Sequence, residues 1–501
     1  MDNRFNLIDE PWIPVADVGR VSLAQIFENP DYRALGGNPV QKIALMKLLL
    51  AIAQAACTPA DEDAWRALGA QGLAERCRAY LAQWHDRFYL YGERPFLQMP
   101  AIKLAALQGF GAVLPEVATG NTTVLNHGQV ERSLSDADKA LLLVGLMGFA
   151  LGGKKTDNSV TLSTGYAGKR NDKGKPSTGK PGPAVAHMGL LHNFLLGECL
   201  WHGLWLNLLT AEQVEHGQRF PGGIGVAPWQ QMPEGEVCPV ACALQDSLMG
   251  RLVSLCRFCL LVEDGLHYSE GIAHGGYKEG RCDPSVAVNW SGKDPKALWC
   301  NPEKRPWREL TALLGFIAQQ GAGFDCLQLQ AGIDRACEVV ERFAIWSGGL
   351  RVSSNAGEQY ASGSDDFVES RVELHSAALG DIWFAQLQSE MTDLDELAKG
   401  LYGRVMGYFK TQLVEGADLA AQATHLFWQL CERDFQTLLD HCEADEVDQQ
   451  THQQTRQKLR RRFAGYAQQA YDHYCPKDTA RQLDAWASCR PNHAKYLAQE
   501  A

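Results

Sequence analysis

Residues 381–412 read DIWFAQLQSEMTDLDELAKGLYGRVMGYFKTQ, a long stretch that has apolar residues at helical spacing and no proline. Three more amphipathic segments follow with short connections, at 416–442, 447–473 and 477–498. Four such segments in succession predict a C-terminal four-helix bundle over residues 376–501. These segments decide the class of the fold, because the chain before them has a different texture.

Residues 1–375 predict one large domain of mixed helix and strand. Over 1–37, short apolar runs alternate with proline and glycine, which is typical of short strands and turns. Apolar periodicity predicts helices at 39–56, 61–83, 135–151 and 184–210. The stretch 211–300 is rich in Gly, Pro, Cys and β-branched residues and predicts strands. The predicted fold class is therefore α+β, a mixed N-terminal domain followed by a helical bundle.

The composition is that of an ordinary globular protein. The chain has 501 residues, of which 46% are hydrophobic and 21% charged, so disordered, collagen-like and coiled-coil classes are excluded. This length predicts about two or three domains. The formal charge of −12 argues against a protein that coats nucleic acid with its whole surface, because phosphate binding depends on Lys and Arg. It leaves room for a local basic site.

The cysteines and the N-terminus indicate a cytoplasmic protein. Fifteen cysteines are scattered from Cys57 to Cys489 without a dense framework, which is typical of reduced thiols. The opening MDNRFNLIDEPW has no apolar core of the signal-peptide kind. The longest apolar stretch, 185–209, contains three histidines and a glutamate, which predicts a buried helix and no membrane span.

One segment stands apart by its charge. Residues 154–183 hold seven Lys or Arg and two Asp, a formal charge of +5, so the rest of the chain carries −17. A Gly-rich basic segment of this length is suited to clamp a phosphate backbone, with Lys169 and Arg170 as candidate contacts. The alternative from composition alone is a solvated insertion.

A second basic cluster lies in the predicted bundle. Seven acidic residues and one Arg between 432 and 448 precede Arg456, Lys458, Arg460, Arg461 and Arg462. The plain interpretation is a pair of solvated helix faces. The sharper hypothesis is that Arg460, Arg461 and Arg462 contact a nucleic-acid backbone.

Sequence motifs give little support to catalysis. Residues 148–154, GFALGGK, come within one residue of a phosphate-binding P-loop, but Lys155 stands where the motif needs Ser or Thr to hold magnesium. The preceding residues predict a helix, whereas the motif demands a strand. A nucleotide-binding enzyme that uses 148–155 is therefore only an alternative hypothesis. His85-Asp86 has no metal-spaced partners, and no catalytic residue is predicted.

Four cysteines are also candidates for a metal site. Cys238, Cys242, Cys256 and Cys259 have spacings that could supply four thiolates to zinc. The second pair lies in the apolar run LVSLCRFCLLV, which favours buried free thiols over metal ligands. The sequence thus predicts no cofactor, with zinc at these four cysteines as the minor alternative.

Two motifs resemble a known family. Residues 7–15, LIDEPWIPV, closely resemble the opening of the CasA family, the large subunit of type I-E CRISPR Cascade complexes. The resemblance continues in residues 84–90, WHDRFYL, with Pro95, Phe96 and Gln98 at a similar distance from the start. It extends over essentially the whole chain, although the motifs are short and the middle third diverges.

The resemblance implies a non-catalytic subunit that reads the short motif flanking a DNA target, the PAM, and helps to open the duplex for guide-RNA pairing. It implies four kinds of partner: the other Cascade proteins, guide RNA, double-stranded target DNA and a helicase-nuclease effector that docks on this subunit. The remaining alternative from another class is a helical interaction scaffold that makes no DNA contact.

The resemblance also implies a set of site residues. A loop near the guide end corresponds to Val124, Leu125 and Asn126, without the aromatic residue of the family's Phe-Val-Asn motif. A PAM-reading glycine loop corresponds to Gly152 and Gly153, with Lys154 and Lys155 as phosphate contacts. A wedge hairpin corresponds to Ser354, Asn355 and Ala356. The nearest candidate for the family's minor-groove lysine is Lys278.

Overall fold

The computed structural model describes most of the chain. The described residues are 4–114, 133–149, 160–163, 189–216, 219–318, 323–352, 366–443 and 449–498. Contacts divide the chain into two compact units: Met1–Pro306 with Ala322–Arg371, and Trp307–Gly321 with Val372–Ala501. The predicted domain boundary after residue 375 lies close to the observed one after Arg371. The sequence did not predict that residues 307–321 belong to the second unit.

The first unit opens with a small hairpin and three helices. The elements are β1 (Ile13–Val15), β2 (Gly19–Val21), α1 (Leu23–Glu28), α2 (Pro39–Ala56) and α3 (Glu62–Gln83). The predicted helices at 39–56 and 61–83 are confirmed, although Gly69 interrupts α3 with non-helical φ 62° and ψ 170°. Asn38 and Gln41 form a capping box that begins α2.

Helix α2 lies in the core of this unit. Of the described helices, only α2 is long and apolar enough to cross a membrane by length and composition, and 78% of it is buried inside the protein. Neighbouring helices α3 and α4 (Asp136–Gly148) pack against it. Its apolar residues are therefore accounted for by the packing of the core.

The two motifs that carry the family resemblance pack against each other. Leu7 N donates to Phe88 O at 2.9 Å, and the buried Trp12 indole donates to Leu7 O at 2.9 Å. The amide of Gln98 bridges Leu90 O at 2.7 Å and Leu261 N at 2.8 Å. These residues pack together in one region of the core, which explains why the composition of the two motifs is largely apolar.

The next part of the unit contains short strands and helices. In chain order these are β3 (Leu107–Gln108), α4, β4 (His192–Leu196), α5 (Leu200–Asn207), α6 (Ala211–His216), α7 (Pro239–Gln245) and α8 (Met249–Leu252). The prediction of a single helix over 184–210 is wrong, because 192–196 form a strand that pairs with a later strand. A continuous apolar run is compatible with either state, and only the distant partner decides between them.

Strands dominate the rest of the unit. They are β5 (Arg257–Leu261), β6 (Leu266–Glu270), β7 (Val288–Asn289), β8 (Lys296–Ala297), β9 (Arg342–Leu350) and the first part of β10 (Phe367–His375), with α10 (Leu327–Val339) before β9. Helix α9 (Leu310–Leu313) lies between β8 and α10 in the sequence but belongs to the second unit. Four strands within 211–300 confirm the prediction for that stretch. Two three-stranded sheets have the orders β10-β9-β4 and β3-β6-β5.

The second unit is mainly helical. Its helices after β10 are α11 (Asp381–Thr411), α12 (Ala417–Glu432), α13 (Phe435–Cys442), α14 (Gln449–Tyr474), α15 (Ala480–Cys489) and α16 (Ala494–Ala498). Two of the four predicted segments, 416–442 and 477–498, are each divided into two helices. Pro491 explains the second division, because proline cannot continue a helix. Helix α11 packs on α12, α14 and α15, and a four-helix bundle stays a prediction.

Candidate nucleic-acid interface

Most of the predicted contact residues lie outside the described residues. They are Val124, Leu125, Asn126, Gly152, Gly153, Lys154, Lys155, Lys169, Arg170, Ser354, Asn355 and Ala356. The described residues on either side of these segments are nevertheless fixed by specific contacts. Their positions show which of the segments begin and end together.

The segment that contains the predicted glycine loop begins where α4 ends. Phe149 caps this helix, is buried, and has its ring centroid 5.9 Å from that of His192 in β4. The end of α4 is also tied to β5, because Cys256 N donates to Met147 O at 3.1 Å. The last described residue before Gly152 is therefore held against the start of β4.

The segment that carries the predicted wedge begins at the same place. His192 pairs with Gly348 in the antiparallel β4–β9 ladder, and β9 continues toward Val352. Gly189, the first described residue after the basic segment, lies so close to Val352 that a Cβ on it would come within 2.9 Å of Val352 Cγ2. We call the group of Phe149, Gly189, His192 and Val352 the loop base.

The wedge segment also returns to its starting point. Arg351 N donates to Asp366 O at 2.9 Å, and Arg351 Nη2 lies 2.7 Å from Asp366 Oδ1. Asp366 is 6% exposed, so this ion pair is shielded from solvent on the carboxylate side. The pair closes the base of residues 353–365.

A buried polar network connects His192 of the loop base to helix α2. His192 Nδ1 lies 2.9 Å from Ser285 Oγ, and Ser285 Oγ donates to Asp283 Oδ1 at 2.7 Å. Asp283 in turn forms an ion pair with Lys47 of α2, at 2.6 Å. Burial raises the pKa of the Asp283 carboxyl, but Lys47, His192 and Ser285 together outweigh burial and hold this pKa below its usual range. The network therefore fixes β4 to the core helix.

One described part of the basic segment has its own attachment. Leu162 N and Ser163 N donate to the carboxylate of Glu236, at 3.0 and 2.8 Å. Glu236 is 1% exposed, so these backbone N–H groups take the place of water as hydrogen-bond donors to its carboxylate. This attachment divides the predicted clamp 154–183 into two parts.

Residues 115–132, which include the predicted guide-end loop, also leave and return at one place. Leu114 and Leu134 line the same cleft beside α4, together with Leu142 and Leu146. Helix α4 therefore separates residues 115–132, which precede it, from the segment that follows Phe149 at the loop base.

Lys278 lies on an exposed 3₁₀ turn, Tyr277–Glu279, which ends at the left-handed Gly280 with φ 76°. Its neighbour Tyr277 is buried in a cluster that also contains Leu190, the residue after Gly189. The turn that carries Lys278 is thus packed on the same cluster as Leu190.

The C-terminal arginines do not share one environment. Arg460 is 3% exposed, and its guanidinium binds Glu390, at 3.0 Å, and Asp393. The expectation that Arg460 contacts a nucleic-acid backbone is therefore not supported, because its charge is directed into the helices. Arg461 is exposed, and the exposed Arg462 is paired with Asp434.

The four cysteines considered for zinc do not form a metal site in the described part of the chain, where no group of three or more His, Cys, Asp or Glu side chains could hold a metal ion. Cys256 donates from Sγ to Met147 O at 2.9 Å, and burial raises the pKa of the Cys259 thiol. Protonated buried thiols are poor zinc ligands. The P-loop alternative also lacks its expected context, because helix α4 rather than a strand precedes 149–155.

Sequence reasoning missed the residues that build the loop base. Gly189, His192 and Val352 carry no motif, and their roles depend on partners more than a hundred residues away in the sequence. The one available signal was the paired Arg and Asp at either end of the predicted wedge hairpin.

The protein is thus a mixed helix and strand protein in which several loop segments begin or end beside one sheet, at strands β4 and β9. The chain belongs to the family of CRISPR-associated protein Cse1, whose model matches residues 6–470. The resemblance to the CasA family is thereby confirmed. A curated relative, CRISPR-associated protein CasA/Cse1 of Thermus thermophilus, is 36% identical over 148 residues, which are 27% of this chain and 29% of the relative.

Solved structures show the same fold over nearly the whole chain. The crystal structure of CasA from Thermus thermophilus superposes with a TM-score of 0.73 at 20% identity, covering 99% of this chain and 100% of that chain. A chain from a structure described as a CRISPR RNA-guided surveillance complex superposes with a TM-score of 0.66 at 16% identity, covering 97% and 98%. At these identities the similarity is one of fold.

Proposed function

We propose that this protein is the large subunit of a cytoplasmic CRISPR surveillance complex of the Cascade type. In this role it recognises the PAM in double-stranded DNA, destabilises the adjacent duplex and docks the helicase-nuclease effector, without catalysing a reaction itself. Family membership supports the role in the complex. The observation that carries the DNA-directed part is the loop base, where three segments with predicted DNA contacts begin or end.

The first step assigned to these segments is PAM reading. Gly152 and Gly153 approach the minor groove, which is only about 6 Å wide, because glycine has no Cβ to obstruct contact with base edges. Lys154 and Lys155 bind flanking phosphates, and Lys278 adds a positive charge from the neighbouring turn. The fixed position of Phe149 supports this step, since a rigid start limits the conformations that the loop must lose on binding.

The second step is strand separation. The wedge residues Ser354, Asn355 and Ala356 enter the stack beside the PAM, which costs a few kcal/mol of unstacking that new contacts offset. The Arg351–Asp366 ion pair supports this step, because a hairpin that pushes on DNA needs a closed base. Asn126 then lies near the guide end, where its amide can donate and accept hydrogen bonds.

The proposal is tested by co-purification with the products of neighbouring genes, followed by binding to a library of PAM sequences. We expect a guide-RNA complex that selects a subset of PAMs. In this complex, Asn355→Ala with Ala356→Asp is expected to weaken binding to closed PAM-containing duplex far more than to a target already opened beside the PAM. Equal losses on both targets count against the wedge, and failure to form any guide-RNA complex counts against the role as a subunit.

Salt dependence separates this function from a scaffold without DNA contact. A clamp that uses several of the seven basic residues of 154–183 releases counterions on binding, so its affinity falls steeply as salt rises. A scaffold shows no DNA binding at any salt concentration. The nucleotide-binding alternative predicts ATP turnover by the purified chain that is lost in Lys154→Ala.

A further inference from the structure

The hairpin β7–β8 and the residues that extend it carry two large aromatic side chains at the surface. Trp290 is 38% exposed and Trp299 is 40% exposed. Indole rings are mostly buried in folded proteins, because they remove a large apolar area from water. A part-exposed indole ring is therefore a candidate contact for a ligand.

Trp299 is the one that lies at the loop base. It forms a β-bridge with Leu190, and Leu191 N donates to Leu298 O at 2.9 Å. A Cβ on Gly189 would come within 2.9 Å of Trp299 Cε3 and Cζ3 and equally close to Val352 Cγ2. The indole is therefore held against backbone at the point where 353–365 leaves the sheet.

This contact orders the ring without burying it. Gly189 has φ 94°, a left-handed conformation that allows its backbone to approach the ring closely. The ring is thus positioned before any ligand arrives, and the entropy of ordering it is not lost on binding. A pre-positioned, part-exposed aromatic face is the usual platform on which an unpaired base stacks.

The charge of the hairpin points to the same class of ligand. Lys293 and Lys296 are exposed on it with the exposed Asp294 between them, so two Lys and one Asp give the hairpin a net charge of +1 in a chain whose formal charge is −12. A local positive potential beside an aromatic ring is complementary to a single nucleic-acid strand, which presents phosphates and flat bases together.

We propose that Trp299 stacks an unpaired base of the DNA strand that is displaced when the duplex opens, while Lys293 and Lys296 attract the backbone of that strand. This proposal rests on the proposed function and adds a holding site for the product of strand separation. A base that is stacked on the indole cannot re-pair with its complement. Trp299 therefore acts after the wedge and slows closing of the opened duplex.

The test uses the assembled complex with guide RNA, and a target duplex with 2-aminopurine at successive positions of the displaced strand. In the wild-type complex we expect one position to be quenched by stacking. Trp299→Leu is expected to abolish this quenching and to weaken binding to closed duplex about tenfold, whereas Trp299→Phe retains most of both. Trp290→Leu is the matched control on the same hairpin and is expected to leave that quenched position unchanged.

The outcomes are distinguishable. Identical quenching and affinity in Trp299→Leu and Trp299→Phe overturn the proposal, because stacking requires an aromatic ring. Loss of Trp299→Leu from the assembled complex also overturns it, since the ring would then contact a protein subunit. If the wild-type complex opens closed duplex and the Trp299→Leu complex opens it equally well, the stacking role of Trp299 is refuted, whereas the proposed function is not. A wild-type complex that does not open PAM-containing duplex refutes the proposed function itself.

Discussion

Gly189→Ala is the substitution that most directly perturbs the loop base. Gly189 has φ 94°, and an added Cβ would lie 2.9 Å from both Trp299 and Val352. The left-handed backbone costs a non-glycine residue about 1–2 kcal/mol, and overpacking typically costs about 1–3 kcal/mol. We expect the free energy of unfolding to fall by about 2–5 kcal/mol, the sum of these two effects. Urea denaturation of the purified chain measures this change.

Gly19→Ala separates the two contributions. Gly19 has φ 112°, but no heavy atom lies within 4 Å of an added Cβ, so only the backbone effect of about 1–2 kcal/mol applies. Gly189→Ala is therefore expected to be less stable than Gly19→Ala by about 1–3 kcal/mol. Variants that differ by less than about 0.5 kcal/mol, which is within the usual scatter for surface substitutions, would refute the close contact at the loop base. In the assembled complex, only Gly189→Ala is expected to impair binding to closed duplex.

Two further predictions concern single side chains. Arg460→Met removes one of the two arginines that pair with the buried Glu390 and leaves Arg456 in place, so it is expected to destabilise the second unit by about 1.5–3 kcal/mol in urea denaturation. Arg461→Met on the exposed face is expected to change stability by less than about 0.5 kcal/mol. Similar losses in the two variants would contradict the inward position of Arg460. Burial and, to a smaller extent, Arg251 lower the pKa of His274 to about 3. As pH decreases below the ordinary pKa of 6.5, the unfolded state therefore binds a proton at this histidine before the folded state does. The free energy of unfolding has its full value above pH 6.5 and falls by up to about 1.4 kcal/mol per pH unit as the pH decreases toward 3. His274→Phe is expected to remove this part of the slope between pH 6 and 5, and an unchanged slope would contradict the cause.

Local signals explain where sequence reasoning succeeded. Helix α2 was predicted with its observed bounds, because its apolar residues recur at helical spacing from Pro39 to Ala56. The long C-terminal helices were also predicted, since each has its own apolar stripe. These features depend only on neighbours in the sequence.

Long-range pairing explains where it failed. The strand at 192–196 needs β9, which lies about 150 residues further along the chain, to exist. Its apolar residues alone are equally compatible with a helix. The loop base is missed for the same reason, because Gly189 and Val352 meet only after β4 and β9 have paired.

Helical periodicity in the basic cluster of α14 distinguishes its buried arginine from its exposed ones. Arg460 shares a helical stripe with Phe463, Ala464 and Ala467, all of which are buried, whereas Arg461 lies on the other side of the helix. Periodicity therefore separates the structural arginine from the exposed one. Treating the arginines as a single patch hid this difference.

The central proposal is that this chain recognises and opens closed duplex for the complex. It is tested most directly by assembling the complex with and without the chain and measuring the affinity for closed target and for the same target opened beside the PAM. We expect removal of the chain to abolish binding to closed duplex and to leave much of the binding to the opened target. An equal loss on both targets, or undiminished binding to closed duplex without the chain, would contradict the proposal.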